Sequence, residues 1–280
     1  MQTHTRSQAP KQWGMFAQLQ GVIGFLAVVI AFAASNVLAA PRADVYFLGE
    51  VHDNPAHHQV QADWVQRIGP KAVVFEMIPA DLANGITPEL RASPDVLTDY
   101  LDWNNSGWPD FAMYWPIFTA APDARIYGAA LPRDQARAAF GRPLIDIFGA
   151  DVAIYGLDQP LPADEQKSRE ALQFDAHCGK LPETLLPQMV NVQRLRDAFL
   201  ARAAVTALDE TGGPVVVITG NGHARQDWGA PVALQQARPG LAIFTLGQSE
   251  DGRIEGQFDQ VIDAPAAPRP DPCAAFQSAN

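Results

Sequence analysis

Cysteine, positive charge and regularly spaced glycine are all scarce in this chain of 280 residues. Only two cysteines occur, Cys178 and Cys273. Neither lies near the N-terminus, so a lipid-anchored mature form is not expected. Lys and Arg number 20 against 31 Asp and Glu, a formal net charge of −11. Such a surface would release few counterions from a phosphate backbone, so nucleic acid is not an expected partner. Glycine has no triplet period, which excludes a collagen-like chain. No internal repeat is present, and no low-complexity tract beyond a Pro/Ala-rich tail at 264–272. Apolar residues make up 48%, too many for a wholly disordered chain.

The first forty residues read as a targeting segment. Arg6 and Lys11 stand without acidic partners, an apolar run follows from Gly21 to Leu38, and small residues close it at Ala39-Ala40. This order of basic, apolar and small-residue regions marks a secretory signal peptide. The competing reading is an uncleaved anchor, but Ser35 and Asn36 shorten the apolar stretch below spanning length. Cleavage after Ala39 leaves 241 residues, enough for one domain with a sizeable core. Export to an oxidising space predicts a Cys178–Cys273 disulfide. It would tether the Pro-rich tail, residues 264–280, to the body.

The rest of the chain alternates strand and helix. Val45–Leu48, Ala72–Phe75, Ala124–Tyr127, Val215–Thr219 and Leu241–Leu246 are short runs rich in Val, Ile and Phe without polar alternation. Strands buried on both faces have this pattern, which predicts an α/β fold with a mostly parallel central sheet flanked by helices. Ala56–Ile68 has helical spacing behind Pro55. The stretch from about 132 to 210 shows no strand signal and reads as a helical insertion, with one long helix from Glu183 to Leu208.

Polar residues collect where strands end. The first strand runs into Gly49-Glu50-Val51-His52, the second into Glu76, and the VVVIT strand into Gly220-Asn221-Gly222-His223. In open parallel sheets the ligand crevice lies outside the carboxyl ends of the strands, so these residues should converge. His52, Glu76 and His223 are donors suited to a divalent metal, and Glu50 could act as general base on a bound water. Alternatively, Glu50 and His52 merely cap the next helix or pair with each other. His57 and His58 are expected at a solvated helix end, and His177 in a structural role. Trp103 to Pro116 holds three Trp, one Tyr and two Pro in 14 residues. An aromatic loop of this kind walls a planar apolar ligand, or else forms a satellite hydrophobic cluster.

Taken together, Leu48 to Pro55 with His57, His58 and Gln61, Phe75-Glu76-Met77, Ser106 to Pro109, Tyr114 to Ile117, and Gly220 to Ala224 resemble the ChaN family of the Tiki superfamily. That superfamily also contains metal-dependent peptidases and erythromycin-esterase-like hydrolases. The resemblance covers about residues 44–263 and implies a ChaN-like α/β domain at 40–263. It implies a periplasmic haem-binding protein of iron uptake, working as a homodimer and with outer-membrane or envelope components. Tyr114, His52 and His223 are then candidate haem ligands, with Trp108 in the aromatic wall. The alternative is a metal-dependent hydrolase holding a divalent ion on His52, Glu76 and His223. A scaffold that keeps the fold without the chemistry is a third reading. One departure is Ala130 before Leu131-Pro132-Arg133, where the family pattern leads one to expect Asn.

Overall fold

The computed structural model describes residues 40–271, 273 and 274; the expected signal segment and the end of the tail lie outside them. Among the described residues six strands form one sheet: β1 (Val45–Glu50), β2 (Ala72–Phe75), β3 (Arg125–Gly128), β4 (Val215–Gly220), β5 (Ile243–Glu250) and β6 (Gln260–Ala264). Their spatial order is β3-β2-β4-β1-β5-β6, and every pairing is parallel. Ten α-helices occur among the described residues. The first five are α1 (Pro55–Ile68), α2 (Ala80–Asn84), α3 (Pro94–Tyr100), α4 (Phe111–Ala120) and α5 (Arg133–Ala138). They are followed by α6 (Ile145–Phe148), α7 (Ala163–Ala176), α8 (Leu186–Thr211), α9 (Asn221–Ala224) and α10 (Ala230–Ala237). No described helix is long and apolar enough to cross a membrane.

The two-residue period of the central strands divides the core. Phe47, Val74, Val215 and Val217 face α8 and α10, whereas Tyr46, Leu48, Val73, Phe75 and Ile218 face α1 and α4. All residues of β1, β2 and β4 are buried, which is why none of these strands alternates in polarity. Each fully buried Val, Leu, Ile or Phe contributes about 1.5–3 kcal/mol before chain entropy is subtracted.

Helix α1 begins where Asn54 accepts from the Ala56 N–H and Pro55 occupies the first turn. It ends at Gly69, which is left-handed (φ 58°). The insertion between β3 and β4 contains helices and turns but no strand, and its long helix spans Leu186–Thr211, preceded by a 3₁₀ turn at Glu183–Leu185. Three details differ from the sequence expectation. The aromatic stretch is not a loop: Trp103–Asn105 forms a 3₁₀ turn, and α4 starts at an Asp110 cap whose side chain accepts from the Ala112 N–H. Strand β5 runs on to Glu250, past the end of the apolar signal. Strand β6 was not expected; it is an edge strand whose outward residues include Gln260 and Asp263, so its polarity hid it.

Beyond β6 the chain returns over the β1–α1 turn. Asn54 Nδ2 donates to the Pro265 carbonyl, and Arg269 donates to both oxygens of Glu250 and to Asp53. Cys273 is bridged to Cys178 at the end of α7, with 5.6 Å between the Cα atoms.

Candidate functional site

The carboxyl ends of β1, β2 and β4 bring Glu50, His52, Glu76 and His223 to one rim. Close backbone approach makes this possible. A Cβ on Gly49 would collide with Asn221 Oδ1 and lie 2.9 Å from the Leu246 carbonyl. A Cβ on Gly220 would lie 3.0 Å from His52 Nε2 and 3.8 Å from Glu76 Oε2. At Gly220 the Glu76 distance is ordinary contact, whereas the His52 ring would have to give by a few tenths of an ångström to admit a side chain.

Glu50 is fully buried and organises one half of the rim. Its Oε1 accepts from His52 Nδ1 at 2.7 Å and from the Tyr114 hydroxyl at 3.0 Å. Its Oε2 lies 3.3 Å from His58 Nδ1. Burial opposes a charge on His52, but the Glu50 hydrogen bond and the field of Glu76 outweigh it and lift its pKa to about 9. Burial and Glu50 together push the Tyr114 phenol far above its ordinary range, so it stays a donor.

Glu76 and His223 form the other half. Glu76 Oε2 accepts from the Thr219 hydroxyl at 2.6 Å and from the Gly220 N–H at 2.9 Å. Its Oε1 lies 3.7 Å from His223 Nε2. Burial alone would raise Glu76, but His223, His52 and these two donors hold it at about 2. His223 Nδ1 pairs with Asp197 Oδ1 at 2.7 Å. Despite burial, the two carboxylates facing His223 raise its pKa. Each imidazole therefore has a carboxylate behind Nδ1 and turns Nε2 to the rim, an arrangement that orients an imidazole as a ligand. Among the described residues, no group of three or more His, Cys, Asp and Glu side chains is arranged to hold a metal ion.

Asp197 escaped the sequence reading. It sits on the core-facing stripe of α8, with Val190 seven positions before it and Ala201 four after it, and it is 5% exposed. An acid on an apolar stripe was the available signal. His57 and His58 were misjudged as solvated, because both are fully buried. His57 Nδ1 accepts from the Val51 N–H at 2.9 Å, while His58 Nε2 donates to the His52 carbonyl at 2.8 Å. They brace the turn that carries His52.

Beside this rim lies a cleft of about 690 Å³, whose walls include Glu76, Met77, Ile78, Leu101, Trp103, Trp108 and Arg196. Trp108 meets the His52 ring edge-on, centroids 4.8 Å apart. The His52 side chain is 34% exposed, the most open of the four rim residues. Tyr114 does not reach the cleft: its ring is fully buried between His58 and Trp103, and its hydroxyl faces Glu50. Of the aromatic side chains in that stretch, Trp103 and Trp108 line the cleft, and Phe111, Tyr114 and Trp115 pack into the core. Ala130 lines the cleft with a methyl where the family pattern suggested an amide.

A parallel α/β sheet with two carboxylate-backed imidazoles at its carboxyl edge, beside an aromatic-walled cleft, defines a ligand-binding protein of the open-sheet class. The chain belongs to the ChaN family of haem-binding uptake proteins in the Tiki superfamily, whose family model matches residues 37–234. Among solved structures it is similar to ChaN of Campylobacter jejuni, described for its cofacial haem binding. The two share 22% identity and a TM-score of 0.57, over 76% of this chain and 84% of that one. The type III effector HopBA1 aligns at 11% identity with a TM-score of 0.42, over 80% of this chain and 88% of its own. A Bacillus cereus protein aligns at 15% identity with a TM-score of 0.30, over 75% and 66% respectively. No protein of curated function matches the sequence.

Proposed function

We propose that this chain binds haem in the carboxyl-edge cleft, with His52 as iron ligand, and serves haem uptake at the cell envelope. The observation that carries the proposal is the pairing of an oriented, partly exposed imidazole with an adjoining cleft of about 690 Å³. That volume suits a drug- or cofactor-sized ligand. Met77, Ile78, Leu101, Trp103 and Trp108 would hold the apolar ring, and Glu50 would orient His52. Bound haem supplies the iron; the protein's own part is to position it and exclude water. His52 is preferred to Tyr114 because it reaches the rim, whereas the phenol is buried, protonated and engaged by Glu50. His223, only 10% exposed and committed to Asp197 and Glu76, is the less accessible imidazole.

Export supports the same reading. Residues 1–39 act as a signal peptide in this proposal, 40–263 as the binding domain and 264–280 as a tethered tail. The bridged cysteines suit a periplasmic location. Family membership supports a homodimer and envelope components as partners.

Titration of ferric haem into the purified protein should produce a saturable Soret band. Above pH 9, where His52 has already lost its proton, Glu50→Gln should weaken binding by about 10–100-fold, the usual cost of losing the partner that orients a ligating histidine. His52→Ala should weaken it further. Wild-type protein that stays colourless, or a His52→Ala variant with unchanged affinity and spectrum, would sink the assignment. Mass spectrometry of the envelope fraction should find the mature N-terminus near Ala40, and an intact Met1 in the cytoplasm would contradict export.

A further inference from the structure

Helix α8 supplies two neighbouring charged residues with different fates. Asp197 turns to His223, and Arg196 reaches the wall of the cleft that also holds Glu76. Arg196 is largely buried, yet among the described residues it has no hydrogen-bond or ion-pair partner. The other described arginines that are not exposed all have one. Arg91 donates to the carbonyls of Phe118, Ala121 and Ala124. Arg169 donates to Glu165, and Arg225 to Asp227. Arg194 donates to the Gly156 and Gln159 carbonyls, and Arg202 to that of Phe148. A guanidinium carries five donors in a fixed fork, and leaving them unmet away from water is costly.

We propose that Arg196 is the anion anchor of the cleft and takes a carboxylate of the bound ligand in a bidentate pair. The inference rests on the haem reading above, under which that carboxylate is a propionate. The charge balance of the cleft agrees. Glu76 is already served by Thr219 and Gly220 and faces His223. The other acids on the wall, Asp81 and Asp102, are exposed, so water screens them. Arg133 also lines the cleft, but its Nη2 is committed to the Ser106 carbonyl. Among the described residues that line the cleft, Arg196 is therefore the cation whose whole fork is free. Planar, two-point recognition of a carboxylate is the task for which arginine is fitted and lysine is not.

The test compares ferric haem with its dimethyl ester, which keeps the ring and iron but lacks the carboxylates. Both are titrated into wild-type protein and into Arg196→Met, with thermal melting as a check of folding. Arg196→Lys is the second variant. Wild type should bind haem roughly ten-fold or more tightly than the ester, the scale of a charge-assisted pair. Arg196→Met should bind both alike, and Arg196→Lys should recover only part of the preference. If wild type and Arg196→Met discriminate equally, or if the variant loses both ligands in proportion, Arg196 is not the anchor while haem binding stands. If wild type binds neither compound, the haem reading falls and takes this inference with it.

Discussion

His52 is held in a charge state that opposes its proposed work. Glu50 and Glu76 keep the imidazole protonated up to about pH 9, and a protonated ring has no lone pair to give to iron. Binding through Nε2 must therefore expel a proton. Haem affinity should rise about tenfold per pH unit below 9 and level off above it. Spectroscopic titrations from pH 6 to 10 check this, and a flat profile would argue against His52 as ligand. Stability moves the other way. The folded pKa lies above the ordinary 6.5, so this contribution is complete below 6.5 and lost as pH rises through about 9. Asp197 presents a second residue-scale case. Replacing it with Ala leaves His223 Nδ1 buried without a partner, which should cost about 1–3 kcal/mol in urea denaturation. Asp197→Asn, able to keep one hydrogen bond, should cost less.

Among the elements, the turn after β4 and the long helix α8 do different jobs. Gly220, the last residue of β4 before that turn, lies against the His52 ring, where an added Cβ would be 3.0 Å from Nε2, so Gly220→Ala should push the ring back. The expected outcome is weakened haem binding and an altered Soret spectrum with a melting temperature near that of wild type. A variant that unfolds instead would show that the glycine is needed for the strand itself. Helix α8 covers one face of the sheet, and Leu195 on its stripe is fully buried. Leu195→Ala should cost about 2–5 kcal/mol by leaving a cavity. Because Arg196 and Asp197 follow it directly, the same helix also fixes the anion anchor and the His223 partner.

At the scale of the whole molecule, the tail works as a strap. It joins β6 to the β1–α1 turn through Arg269 and to the end of α7 through the disulfide. The bridge spans 95 residues of sequence, and Cys273→Ala should lower stability by about 2–4 kcal/mol. That is below the entropy figure for such a loop, because the tail adds little core. Reduction of wild type should give the same shift. Acid acts on the strap and on the rim together. The Arg269 hydrogen bonds hold Glu250 at about 2, and Glu76 is held at about 2 by the partners described above. Both folded values lie below the ordinary 4.5, so their contribution is present above 4.5 and lost as pH falls towards 2. Acid denaturation followed by circular dichroism should show the loss in that window, and Arg269→Ala should remove part of it.

The alternation of apolar runs and helical spacings was enough to specify a parallel sheet, because a strand buried on both faces must be apolar throughout and Val45–Leu48, Ala72–Phe75 and Val215–Thr219 are. The strand-end positions of Glu50, His52, Glu76 and His223 were legible for the same reason: parallel strands share one carboxyl edge. Sequence pattern could not assign the strand order, which places β4 between β1 and β2, since pairing depends on contacts between segments far apart in the chain. Nor could it separate Tyr114 from Trp108 in one aromatic stretch. Helix α4 turns Tyr114 inward to Glu50, while the preceding turn leaves Trp108 beside His52. Burial of His57 and His58, the Asp197 pairing and the lone guanidinium of Arg196 likewise arise only when α1 and α8 pack on the sheet. Local preference selects the elements; which polar atoms are paired, and which are left open for a ligand, is decided by neighbours that meet only in the folded chain.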